Sequence, residues 1–182
     1  MTAATTTRQT VPTGTWELDP AHSKVGFSVA YIVGTFSGTF SPVEGRLEAG
    51  ENGNVALTGR ALATAIQVQD ENLNAHLLSP EFFDAERTPE LTFSSHDITG
   101  NGADITVRGK LGIRGIAQPV TLAGTISEAL VDPYGRERIG ITLTGTVDRT
   151  TFGLDWNTPL PSGETALAND VELSAELFFV KA

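Results

Sequence analysis

From Trp16 onward, apolar side chains recur at every second position through most of the chain. Val25, Phe27 and Val29 alternate with Lys24, Ser28 and Ala30, and Val55, Leu57, Gly59, Ala61 and Ala63 share a second face. Leu91 and Phe93 follow, and Ile105, Val107, Gly109, Leu111 and Ile113 alternate with Thr106, Arg108, Lys110 and Arg114. Ile139, Ile141, Leu143, Gly145 and Val147, then Val171, Leu173, Ala175, Leu177 and Phe179, repeat the pattern. A period of two turns one side of each segment to a core and the other to water, which predicts antiparallel β-strands. Turn sequences such as Asn101-Gly102 and Asp132-Pro133-Tyr134-Gly135 separate them. The pattern predicts about eight strands joined as successive hairpins, some long enough to bend.

One stretch departs from this period. Between Asp70 and Ser79, Leu73 and Leu77 stand at helical spacing and Asp70 is placed to cap the first turn. Ser79-Pro80-Glu81 reads as a second helix start, carrying Phe82 and Phe83. Residues 150–169 show no period and are expected to form a long loop folded on the barrel. Residues 1–14 are polar, small and unpatterned, as in a flexible arm, which leaves 15–182 as a single domain.

Eight antiparallel strands suit a barrel or a two-sheet sandwich. In a barrel, the small inward positions Gly59, Ala61, Ala63, Gly109, Gly145 and Ala175 would leave an apolar volume for a guest, or would let a tight, flattened barrel close.

Charge narrows the partners. Twenty-two acidic residues against twelve basic ones give a net charge of -10 with no basic patch. Nucleic acid and electrostatic docking on anionic membranes are therefore not expected. The absence of cysteine excludes disulfides, a thiolate zinc site and a cysteine nucleophile. No segment approaches the ~18 apolar residues of a membrane span, so no stable membrane insertion is expected. The opening residues do not resemble a secretory signal, and a cytoplasmic location is the simplest expectation.

Candidate chemistry is sparse. His22, His76 and His96 share no metal-ligand spacing, and no metal site is expected. Asp19, His22 and Ser23 lie too close in sequence for a triad and read as a turn. Asp148 and Asp155, flanking Arg149 and Trp156, offer an acid–base pair, or a surface turn and an ion pair to Arg114. No phosphate-binding or dinucleotide loop is present.

Four ordered blocks carry a family resemblance. Trp16-Glu17-Leu18-Asp19-Pro20-Ala21-His22-Ser23 with Val25-Gly26-Phe27-Ser28-Val29 resembles the opening of YceI-like proteins. The block from His76 to Asp84 with Pro89-Glu90-Leu91-Thr92-Phe93, and that from Gly109 to Gly115 with Pro119-Val120, are similar to two further motifs. The block from Asp148 to Leu154, with Asn169-Asp170-Val171, resembles the last.

The resemblance implies a lipocalin-like eight-stranded antiparallel β-barrel with a short helical insertion around residues 70–85. It also implies a tunnel for a polyisoprenoid, an isoprenoid quinone or a fatty-acid-like lipid, with no other cofactor. Members are periplasmic or cytoplasmic and many are dimers, so a homodimer enters the expectation. Alternation and motif position name Phe27, Val29, Phe36, Phe93, Leu143, Leu177 and Phe179 as lining, and Tyr31, His76, Phe82, Phe83 and Trp156 as the mouth. Tyr31 replaces a usual histidine, while Leu73, Asn74 and Leu78 replace an Arg-Asp pair and an arginine. If those cations meet a diphosphate, this chain should favour a neutral head; if they only form structural ion pairs, their loss is silent. The expected role is carrier, buffer or sensor. The alternatives are an isomerase or cyclase using Tyr31, His76, Asp148 and Asp155, or a barrel filled by its own side chains.

Overall fold

The computed structural model describes residues 11–182. Its strands are β1 (Gly14–Leu18), β2 (Lys24–Tyr31), β3 (Gly34–Phe40), β4 (Glu44–Ala49), β5 (Val55–Leu62) and β6 (Ile66–Gln67). After helix α1 (Glu71–Leu78) come β7 (Glu90–Asn101), β8 (Asp104–Ile113), β9 (Ile116–Ile126), β10 (Leu130–Val131), β11 (Glu137–Asp148) and β12 (Leu167–Lys181).

These twelve segments build an eight-stranded barrel, because four of its strands (β1/β2, β3/β4, β5/β6 and β9/β10) are broken in two. Both β1 and β2 run antiparallel to β12: Trp16 faces Lys181 and Leu18 faces Phe179, then Lys24 faces Glu176 and Tyr31 faces Leu167. In the same way β4 pairs with β1, β3 pairs with β2, and the short β6 carries β5 onward to pair with β3. Each strand otherwise pairs with its successor, and β12 returns to β1 and β2 to close the ring. Closure leaves no long free edge for another chain to add to. Among the described residues no helix is long and apolar enough to cross a membrane.

The first break, Asp19–Ser23, is the turn expected from sequence. Asp19 Oδ1 accepts from the Ala21 N–H at 3.0 Å, and Oδ2 pairs with His22 Nδ1 at 2.8 Å. Ser23 Oγ accepts from the Phe178 N–H at 2.9 Å, supplying the ladder bond that the interrupted strand cannot. The Arg138 guanidinium then joins Asp19 at 3.0 Å to Asp132 at 2.7 Å, tying this turn to the β10–β11 hairpin. The His22 and Arg138 bonds hold the Asp19 carboxyl below its usual range. The Arg136 N–H and the Arg138 side chain hold Asp132 at about 2.

A carboxylate titrating lower in the folded chain adds stability that is present above its unfolded value and is lost as pH falls through its folded value. For Asp132 that window runs from 3.8 down to about 2. Acid unfolding followed by circular dichroism is expected to steepen there, and Asp132→Asn to flatten the slope. An identical acid profile in the variant would contradict this assignment.

Helix α1 is capped as expected, with Asp70 accepting from the Leu73 N–H at 3.0 Å. The second helix is not formed. Ser79 O accepts from the Phe82 and Asp84 N–H groups, and Leu77 O and Leu78 O accept from Phe83 and Ala85. The chain makes a compact turn instead, with Asp84 at φ +50°. The turn buries Phe82 and Phe83 together, whereas successive helical residues point about 100° apart.

Of the arm expected over 1–14, residues 1–10 lie outside the described residues. Val11 is buried in the core, the Pro12 carbonyl accepts from Trp16 Nε1 at 3.0 Å, and Gly14 opens β1. The loop expected over 150–169 is shorter. Arg149–Phe152 forms a 3₁₀ turn, and β12 takes up the chain at Leu167.

Candidate functional site

The barrel interior is filled at one end and open at the other. Val11, Trp16, Leu47, Ala49, Ile105, Val107, Ile126, Ile139 and Ile141 pack into a plug where β1 begins and β12 ends. Trp16 is fully buried there and lies beneath Lys181, whose Nζ is 5.7 Å from the ring centre. Leu57, Leu143, Leu177 and Phe179 belong to the plug and also form the floor of a cavity of about 570 Å³. That volume lies within the ~300–1,000 Å³ usual for small-molecule sites.

Apolar groups dominate the cavity wall. Phe27, Val29, Phe36, Phe40, Phe93, Leu111 and Ile113 come from the strands, Leu73 and Leu77 from α1, and Phe152, Leu154 and Trp156 from the chain after β11. Phe27 and Phe36 pack edge to face at 5.6 Å, and Phe40 meets Phe83 in the same way at 5.8 Å. The twelve residues named from sequence as lining or mouth all border this one cavity. For those on strands, a slip of one residue would have turned each set outward.

At the mouth, His76 on α1 packs against the rings of Phe82 and Trp156, with centroids at 4.9 and 5.1 Å. Its Nε2 is bonded to the Glu81 carboxylate. Tyr31, at the end of β2, also borders the cavity and is followed by the exposed hairpin tip Ile32-Val33. The Ile32 N–H donates to Ala166 O at 2.9 Å, which fastens this hairpin to the chain entering β12. Asn74 Nδ2 donates to Ile66 O at 3.3 Å, pinning α1 to β6. Leu78 packs into the core around the cavity rather than onto its surface.

One wall residue escaped the sequence reading. Arg149 is buried, and its guanidinium donates to four main-chain carbonyls: Ala168 at 2.8 Å, Trp156 at 2.8 Å, Leu167 at 3.3 Å, and Leu154. Burial lowers its pKa, against the fields of Asp155 and Asp148. Residues 153–166 form no regular strand, so their carbonyls need donors from elsewhere. An arginine at the start of a strandless segment was the available signal.

The small inward residues divide into two groups. Gly59, Ala61 and Ala175 border the cavity. Gly109, Gly145 and Ala63 do not, which corrects their assignment as spare volume. A Cβ on Gly109 would meet the Phe93 ring at 2.8 Å, and one on Gly145 would meet Leu122 Cδ2 at 2.6 Å. Those two glycines let neighbours approach, and Ala63 sits buried in a 3₁₀ turn.

The acid–base constellation does not assemble. Tyr31 and His76 border the cavity, but Asp148 and Asp155 are exposed and do not. Asp148 caps the 3₁₀ turn by accepting from the Thr150 N–H at 2.9 Å, and these bonds to Thr150 hold its carboxyl below the usual range. Arg114 makes no ion pair with it, donating instead to Gly153 O at 2.9 Å.

The model of the YceI-like domain matches residues 16–179. The chain belongs to the YceI-like family. A UPF0312 protein of Staphylococcus aureus strain N315 is 27% identical over 165 residues, covering 88% of this chain and 94% of that protein. A UPF0312 protein of Staphylococcus epidermidis strain RP62A is 27% identical over 168 residues, covering 90% and 96%. Among solved structures, BcnA of Burkholderia cenocepacia superposes with a TM-score of 0.74 at 20% identity, over 88% of this chain and 98% of that one. A polyisoprenoid-binding domain from Saccharophagus degradans, implicated in plant cell wall breakdown, superposes with a TM-score of 0.70 at 12% identity, over 92% and 98%. At these identities the YceI-like barrels establish a shared fold: a closed eight-stranded barrel with one helix.

Proposed function

We propose that this YceI-like barrel binds one long apolar molecule (a polyisoprenoid, an isoprenoid quinone or a fatty-acid-like lipid) and serves as its carrier, buffer or sensor. The observation that carries this reading is an apolar cavity of about 570 Å³, floored by the core plug and bordered by α1 and the end of β2. Each methylene moved from water into such a wall contributes about 0.8 kcal/mol, so a long chain offsets the cost of being ordered. The polyisoprenoid-binding domain with the same fold lends support to the ligand class.

Organic extraction of the purified protein with mass spectrometry, beside native mass spectrometry of the intact complex, tests the reading. A stoichiometric prenyl or acyl species is expected, and the native spectrum also reports whether the chain pairs as a homodimer. Protein that stays empty after incubation with quinones and fatty amides would overturn the proposal.

A further inference from the structure

We infer that the cavity selects a chain with an uncharged head, seated at the rim beside the Tyr31 hydroxyl, over the same chain carrying a phosphate. This inference rests on the lipid-binding reading above and adds the head-group chemistry to it.

Every cation bordering the cavity is already engaged. Arg60 pairs with Glu44 at 2.7 Å and with Glu90 at 3.1 Å, and about half of its side chain is in solvent on the outer face of β5. His76 is held by Glu81, whose own side chain is mostly exposed. Arg149 is bound up in its four carbonyls, so it cannot turn to a phosphate without releasing the chain it supports. Guanidinium recognition of phosphate needs two adjacent N–H groups aimed at the anion, and none is presented here. An anionic head would lose hydration and gain no partner, beside Glu81 and within a chain of net charge -10.

Tyr31 offers the opposite chemistry. Its phenol borders the cavity, is 39% exposed at the rim, and has no hydrogen-bond partner among the described residues. A neutral hydroxyl can donate to or accept from an alcohol, an amide or a quinone carbonyl, and adds no charge to be neutralised. Leu73, one helical turn before His76 and Leu77, completes the rim with hydrocarbon.

Calorimetric titration of the full chain with farnesene, farnesol and farnesyl diphosphate separates these ideas. Farnesol is expected to bind about tenfold or more tightly than the diphosphate. Tyr31→Phe should remove the advantage of farnesol over farnesene. Leu73→Arg, at a half-buried rim position of α1 that faces the cavity, should raise diphosphate affinity about tenfold. Diphosphate binding as tight as farnesol in the parent chain would overturn the inference and leave the lipid-binding reading standing. Failure of all three probes, the hydrocarbon included, would overturn both. The comparison in the parent chain decides the matter even if a variant does not fold.

Discussion

Arg149→Ala is expected to destabilise the chain by roughly 3–5 kcal/mol, the largest loss available to a single side chain at the cavity. The substitution leaves the carbonyls of Leu154, Trp156 and Ala168 without this donor, while Leu167 O keeps its bond from Asn157 Nδ2 at 2.7 Å. Each buried acceptor left unpaired costs about 1–3 kcal/mol, and water reaching the loosened mouth recovers part of the total. The damage should spread through the Ala166 carbonyl to Ile32 and so to the β2–β3 hairpin. Thermal unfolding is expected to show a midpoint lower by roughly 10 °C. Hydrogen exchange should accelerate at Leu154 and Ala166, while the plug around Trp16 remains protected. Arg149→Lys should recover little, because a single ammonium cannot span carbonyls contributed by three separate parts of the loop. A loss below about 1 kcal/mol would show that water serves these carbonyls as well as the guanidinium does.

The features of this fold that were legible in the sequence are those governed by alternation. Parity along Val25-Phe27-Val29 and Leu177-Phe179 determines which side chains face inward, and a closed barrel has only one inside. The strand breaks were less legible. The gap at Asp19–Ser23 is bridged by a serine hydroxyl, and alternation resumes beyond it as though the strand had never stopped. The turn after Ser79 carries the cap, proline and acid of a helix start, but burying both phenylalanines proved the stronger demand. Volume was the hardest property to read. Gly59 and Gly145 look alike in a strand, and only the neighbours across the sheet decide whether the missing side chain is empty space or a point of contact. Arg149 was hidden because a charged residue next to an aspartate ordinarily lies at the surface.

The difference between those two glycines makes the cavity testable without knowing its occupant. Gly59→Phe is expected to leave the barrel folded and to weaken binding of a long-chain ligand by about a hundredfold. A Cβ at this position meets only the Glu44 carbonyl, at the ordinary distance of 3.6 Å, and the cavity lies beyond it. The added ring would occupy the space of roughly three ligand methylenes, about 2.5 kcal/mol of lost burial. Stability should hold or rise slightly, because a strand glycine is replaced by a residue that favours strands and fills a void. The same change at Gly145 forces the new atoms into Leu122 Cδ2 at 2.6 Å and the Thr121 carbonyl at 2.8 Å, and is expected to prevent folding. Chemical denaturation of the two variants, with ligand titration of Gly59→Phe, checks both arms. Equal damage at the two positions would mean that the interior beside Gly59 is already filled, and that the chain is a packed barrel with no room for a guest. A stable Gly59→Phe protein that still bound its ligand fully would move the site elsewhere on the molecule. Loss of binding in a stable protein is the outcome that the cavity, its floor and its aromatic rim require.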